Sequence, residues 1–190
     1  MIRHVPRFNL LARFLHWTMA VLILAMLLIG LGMVSTVSPR YHELLSIHRS
    51  IGAVILVLVA VRLLNRLLNP QPPLPPDLPS WQKILAKLSH LLLYALMFLL
   101  PLVGWAMLSA AAYPIMLFGS VHLPPILPHD VRIYALLRSA HTDLALLLFA
   151  VFIAHLGAAL FHALIRRDSV LQSMVSSEII ARLYRSRAGR

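Results

Sequence analysis

His141 and His155 stand 14 residues apart on the last apolar stretch of this 190-residue chain, and two earlier apolar stretches carry one histidine each near an end, His16 and His48. Fourteen residues is nearly four helical turns, so His141 and His155 share one helix face at depths about 21 Å apart. An ionisable side chain inside a membrane helix is costly and ordinarily faces the bundle interior. Four of them at matching depths are accounted for by two stacked metal-centred cofactors, each held by two imidazoles, and imidazole is a common haem ligand. Two other readings stay open. Each histidine can be a hydrogen-bonded interior or interfacial residue, or the set can hold zinc or copper. Against the second, nothing besides histidine converges at these depths, and Asp143 lies two residues from His141 on another face. The chain has no cysteine, which excludes disulfides, thiolate metal sites and covalent c-type haem attachment. Any haem is held non-covalently and is b-type.

The elements that must position these residues are membrane spans. The chain is 60% hydrophobic and 12% charged, with a mean hydropathy of +0.83, which excludes an ordinary soluble core. A hydrocarbon layer of about 30 Å needs about 20 helical residues. Four stretches qualify, at about 10–34, 47–68, 88–109 and 142–165. The expected fold class is all-α, a transmembrane four-helix bundle binding two b-type haems, in a single integral membrane domain over 1–190. The first span is too long for a signal peptide and carries Arg13 and His16 in its own first turns, so it is read as retained.

A net charge of +11 would suggest nucleic acid in a soluble chain, but the distribution argues for a membrane. With the N-terminus in the cytoplasm, only Arg40, Arg49, Arg132 and Arg138 of the 17 Lys and Arg residues fall outside, leaving 13 inside. The positive-inside rule therefore places both termini in the cytoplasm, and the basic tail reads as a topology signal beside anionic lipid, with no nucleic-acid partner. Topology converts sequence order into depth. His48 and His141 form an outer pair, His16 and His155 an inner pair, and each pair supplies the axial ligands of one haem.

The run Arg13-Phe-Leu-His16-Trp17, then His48-Arg-Ser-Ile-Gly52 with Arg62 and Arg66, resembles the first two helices of the bacterial cytochrome b561 family. Leu88-Ser-His90, Tyr94 and Leu100-Pro101-Leu-Val-Gly104 resemble its third helix. His141 and His155, closing on Arg167-Asp168-Ser-Val-Leu171, resemble its fourth. The family pattern often has a second histidine three residues before His90, where this chain has Lys87. The resemblance spans about residues 7–174 and implies a dihaem inner-membrane protein with His16, His48, His141 and His155 as ligands. Members of the family include a superoxide oxidase that passes electrons from periplasmic superoxide through two haems to ubiquinone.

Against that background, Arg49 beside His48 and Arg138 three residues before His141 have two roles open to them: steering an anion to the outer haem or pairing with its propionates. His162, two turns beyond His155 and about 10 Å closer to the cytoplasm, and His90 outline a quinone site, because a quinone taking two electrons also takes two protons that imidazole can relay. The expected activity is superoxide:quinone oxidoreduction, with superoxide or another one-electron donor and ubiquinone as partners. The alternative is a dihaem anchor subunit feeding electrons from a soluble dehydrogenase or hydrogenase to quinone. A haem-free structural or transport protein is a third reading.

The remaining conspicuous residues read more plainly. His4, His42, His122 and His129 are expected to be solvated. Trp17, Trp81 and Trp105 are expected as interface anchors, and Met19, Met26, Met33, Met97 and Met107 as packing. The stretch 69–79 holds six prolines and reads as a stiff inner loop. The stretch 111–128 is apolar but broken by Pro and Gly, so it caps the outer face. A short helix capped by Ser169 is expected through Leu183.

Overall fold

The computed structural model describes residues 7–175. Residues 1–6 and 176–190 lie outside the description, and with them His4, five of the arginines counted above and the expected helix beyond Val175. Four long helices follow one another: α1 (Leu10–Val34), α2 (Arg40–Leu68), α3 (Ser80–Ala110) and α4 (Val131–Phe161). Each contains an 18-residue window of mean hydropathy between 2.2 and 2.5, long and apolar enough to cross a membrane. α1 has the expected bounds. The other three begin 7 to 11 residues before the apolar stretch, over Arg40–Ser46, Ser80–Lys87 and Val131–His141. Hydropathy marks the lipid-facing length, whereas helical hydrogen bonding continues through polar turns beyond it.

The helix starts are written locally. Asn9 caps α1 by accepting from the Ala12 amide at 2.7 Å, and Asp130 caps α4 by accepting from Arg132 and Ile133 at 2.7 and 3.0 Å. Asn9 also exchanges amide hydrogen bonds with Asn65 at 3.1 and 3.3 Å, tying the start of α1 to the end of α2. α3 continues through Pro101. α4 ends in a π-helical turn, His162–Arg166, closed by Arg167 in the left-handed conformation. Only a 3-10 turn, Leu171–Ser173, follows before Val175.

Short connections make the helices alternate in direction, so Phe8, α2's end, α3's start and the 162–175 segment share one end of the bundle. We call this the terminal end and the opposite one the loop end. At the loop end 111–128 forms a small antiparallel hairpin, β1 (Ile115–Leu117) with β2 (Val121–Leu123), in register Leu117 with Val121. Its turn takes Phe118 and Gly119 through positive φ, 52° and 76°, as tight hairpin turns require. The hairpin is fastened to the helices: Ser50 accepts from the Phe118 amide at 3.0 Å, and the Trp105 indole donates to Pro124 O at 2.9 Å.

The core lies at mid-height, where Met19, Val59 and Leu96 are fully buried and Ile23, Ile55, Met97, Leu100 and Leu148 complete the cluster. Met19 and Met97 are thus packing residues. α1 packs on α2, α2 on α3 and α3 on α4, whereas α4 makes few direct contacts with α1 or α2. Leu148 is the one buried residue of α4. The fourth helix stands off from the two that carry His16 and His48.

Candidate functional site

The standing-off of α4 is bridged by histidines. At the loop end the rings of His48 on α2 and His141 on α4 have centroids 6.1 Å apart. At the terminal end His16 on α1 and His155 on α4 have centroids 6.3 Å apart. An imidazole nitrogen sits about 2.0–2.1 Å from a metal it ligates, so two imidazoles sharing one metal have centroids roughly 6 Å apart. The pairs that depth alone sorts from the sequence are the pairs that face each other.

The surroundings of the loop-end pair are bare. Nδ1 of His48 and Nδ1 of His141 are buried with no hydrogen-bond partner among the described residues, a costly state for an imidazole with no ligand. Glycine makes room beside each ring. A Cβ at Gly104 would meet His141 Cε1 at 3.3 Å and Nδ1 at 3.6 Å, and one at Gly30 would meet His48 Cε1 at 3.9 Å. Of the two loop-end arginines, Arg49 donates to Pro114 O at 3.3 Å and is half-buried, with Nε lacking a partner. Arg138 is exposed and donates to Tyr134 Oη at 3.4 Å. His129 is exposed, as expected, and its Nδ1 also bonds Ala110 O at 2.9 Å.

The terminal-end pair sits in a polar cluster. The Arg62 guanidinium approaches His16 Nδ1 at 2.9 Å and donates from Nε to Tyr94 Oη at 3.1 Å. Arginine only donates, so His16 Nδ1 accepts here, and with a metal on Nε2 the same bond would require the imidazolate form, which the guanidinium stabilises. Arg62 and Arg66 both lie over the Tyr94 ring, 5.7 and 5.6 Å from its centroid, and neither pairs with a carboxylate among the described residues. His90 on α3 packs edge-on against His155 at 5.3 Å, too close for two ligands on opposite sides of one iron and close enough for direct ring contact. Its place is therefore beside the inner pair, at the depth expected for it.

His162, at the same end of the bundle, belongs to a hydrogen-bonded group of its own. Its Nδ1 donates to Asp168 Oδ2 at 2.6 Å. Arg166 donates to the same oxygen at 3.1 Å and reaches Asp77 on the α2–α3 loop at 2.6 Å. Burial pushes the Asp168 carboxyl up, but the bonds from His162, Val170 and Arg166 outweigh it and hold it below its ordinary value. Trp17, beyond any anchoring role, donates to Met174 O at 2.9 Å, strapping residues 171–175 across the start of α1.

Three contributors were quoted in the sequence only as family motif and had no role assigned: Arg62, Tyr94 and Asp168. The signal for Arg62 was available, since a guanidinium within a membrane span requires a partner. Nothing in the sequence signals the π-helical turn that returns Asp168 to His162.

The residues fit non-covalent haem. The facing donors are imidazoles only, their 6.1 and 6.3 Å spacings match two ligands on opposite sides of one iron, and glycine seats each loop-end ring. Among the described residues no group of three or more His, Asp and Glu side chains is placed to hold a bare metal ion, which leaves the zinc or copper reading without a ligand set. A model of prokaryotic cytochrome b561 matches residues 7–177. Two Escherichia coli K12 proteins are similar along most of their length. Cytochrome b561 homolog 2 is 28% identical over 171 residues, 89% of this chain and 91% of that protein. Cytochrome b561 homolog 1 is 29% identical over 172 residues, 89% and 97%. The probable superoxide oxidase CybB of Yersinia pestis is 29% identical over 165 residues, 85% and 91%. Four apolar helices, paired imidazoles across a gap and a family match over almost the whole described chain agree, and the chain belongs to the prokaryotic cytochrome b561 family, multi-pass bacterial membrane proteins of electron transport that carry b-type haem.

Proposed function

We propose that this chain is a dihaem superoxide:quinone oxidoreductase of the bacterial inner membrane. The observation that carries the reading is one imidazole pair at each end of a single bundle, 6.1 and 6.3 Å between ring centroids. His48 and His141 would hold one haem and His16 and His155 the other. When bound, each haem would supply a one-electron carrier, so that electrons accepted at one face can leave at the other.

The basic residues orient the bundle with its terminal end in the cytoplasm and its loop end outside. Arg49 and Arg138 then stand at the outer face, where cations draw in an anion such as superoxide. Arg49, held by Pro114 O, is fixed enough to position a small anion or a propionate, while exposed Arg138 acts at longer range. At the inner face His90, beside His155, and His162 are the groups that hydrogen-bond and protonate ubiquinone. Two superoxide ions, one quinone and two cytoplasmic protons give two dioxygen molecules and one quinol. The name of the Yersinia pestis relative supports superoxide as the donor.

The test is a dithionite-reduced minus air-oxidised spectrum of the purified chain with haem and protein quantified on one sample, followed by superoxide and a ubiquinone analogue. Two b-type haems per chain and superoxide-dependent quinol formation are expected. Two haems with no response to superoxide, and co-purification with a dehydrogenase or hydrogenase, would replace this reading by the anchor-subunit one. A colourless preparation after growth with ample haem would overturn both.

A further inference from the structure

The π-helical turn at the end of α4 builds a pairing that the residue-by-residue reading of quinone reduction does not use. Within it the amides of Arg167 and Asp168 both return to the carbonyl of His162, so the chain doubles back and carries the Asp168 carboxylate to the His162 ring. Single π turns inside helices recur at functional sites because they re-aim side chains that α-helical spacing would keep apart. Here they bring residues six apart to 2.6 Å, Nδ1 to Oδ2, with each side chain 14% exposed.

Asp168 is itself immobilised. Oδ2 accepts from His162 and from Arg166 Nε at 3.1 Å, and Oδ1 accepts from the Val170 amide at 3.1 Å. Arg166 in turn bridges to Asp77, which is 70% exposed on the α2–α3 loop. A carboxylate so held is an acceptor only, and it fixes the neutral His162 proton on Nδ1. That leaves Nε2, on the opposite side of the ring, with no hydrogen bond among the described residues. The same arrangement sets an imidazole's working tautomer in hydrolase triads, where the acid orients and does not itself exchange the proton.

We propose that Asp168 is the positioning residue that makes His162 the proton donor to the quinone, with His162 Nε2 the atom that meets a quinone carbonyl oxygen. This rests on the reading of the terminal end as a quinone-reducing site. As superoxide supplies the electrons, the Nε2–H bond of protonated His162 breaks, an O–H bond forms on the quinone oxygen, and neutral His162 is left with its proton on Nδ1. A cytoplasmic proton then restores Nε2–H. Arg166 cannot give up a proton, so its part is to anchor Asp168 to the loop.

The test compares haem-loaded wild type, Asp168→Ala and Asp168→Glu in three measurements: quinol formation from superoxide and a short-chain ubiquinone, haem reduction by superoxide without quinone, and histidine tautomers by 15N NMR. D168A is expected to lower kcat for quinol formation roughly tenfold or more, with KM for the quinone changed less than about threefold. Haem content and haem reduction by superoxide stay at wild-type levels. One histidine loses its pure Nδ1–H tautomer, and D168E restores most of both signals. If D168A does not assemble with haem, Asp168→Asn takes the same measurements, with a smaller kcat loss expected because it keeps an acceptor. Wild-type kcat in the variant that assembles, equal losses in haem reduction, or an unchanged tautomer would overturn the proposal while leaving quinone reduction standing. A wild-type chain that makes no quinol overturns the underlying reading and this proposal with it.

Discussion

The two ends of the bundle each hold a facing histidine pair, in opposite surroundings. At the loop end His48 and His141 face each other with Nδ1 unpartnered and with glycine beside each ring. At the terminal end His16 is bonded by Arg62, Arg62 by Tyr94, and His155 is backed by His90. The loop-end pair is thus a packing site whose occupant is defined by the space left for it, and the terminal-end pair is a charged network that sets the electrostatics of whatever it binds. A glycine-backed site with few polar partners suits electron exchange with a small diffusing donor, while a polar one suits a reaction that consumes protons. The most severe way to separate the ends is to remove one ligand at a time. Alanine at His48 or His141 is expected to leave one haem per chain and abolish quinol formation from superoxide, with the terminal-end haem still reducible by dithionite. Alanine at His16 or His155 leaves the other haem, which superoxide still reduces, and also makes no quinol. Haem-to-protein ratios and difference spectra read both outcomes, and an unchanged ratio in any of the four would remove that histidine from the ligand set.

Packing should matter more at the loop end than charge does. At Gly104 even a Cβ meets His141 at 3.3 Å, tighter than most real contacts, so Gly104→Val must displace the ring. Loss of most of the loop-end haem is expected, with Gly104→Ala intermediate. Gly157 on the same helix as His155 has nothing within 4 Å of an added Cβ, so Gly157→Ala should retain both haems. Equal retention in G104V and G157A would mean that the loop-end gap is not shaped by its glycine.

Charge should matter more at the terminal end. Arg62→Leu removes a guanidinium that no carboxylate neutralises among the described residues. A nearby cation favours the reduced haem, which carries one positive charge fewer, and so raises its potential. R62L should therefore lower the midpoint potential of one haem and leave the other in place, as read by redox titration. Losing two part-buried hydrogen bonds to a charged group should also cost about 3–6 kcal/mol, at roughly 1.5–3 kcal/mol each. A shift of both haems alike, or an upward one, would remove Arg62 from the inner site.

Which parts of this asymmetry could be read from the chain follows from the range of each interaction. Span order, the helix start at Leu10 and the histidine pairing are fixed by hydropathy, local capping and the 14-residue spacing, all of which are short-range or one-dimensional. The polar extensions of α2, α3 and α4 were invisible to hydropathy because Arg40, Ser80 and Val131 open helices outside the apolar layer. The 111–128 stretch was legible as a cap but not as a hairpin, since its pairing depends on Phe118 adopting positive φ and on Ser50 accepting its amide from 68 residues away. Arg62 with His16 and His162 with Asp168 rest on one long-range contact and one irregular turn respectively. Neither leaves a periodic trace.

The smallest expected effects lie at the outer rim, where the two arginines differ in how they are held. Arg138 is exposed and reaches only Tyr134, at 3.4 Å. Its field is largely screened beyond about 8 Å at physiological salt. Arg138→Gln should slow superoxide-driven haem reduction by about threefold at low ionic strength and by less as salt is added. Arg49→Gln should act more strongly and lose less of its effect to salt, because Arg49 is half-buried beside His48 and bonded to the hairpin at Pro114. Stopped-flow reduction at several salt concentrations reads both slopes. If both variants lose their effect together as salt rises, the two arginines only steer. If R49Q keeps its deficit at high salt, Arg49 makes a short-range contact with the anion or with the haem, and the loop end owes part of its chemistry to the hairpin that holds that side chain.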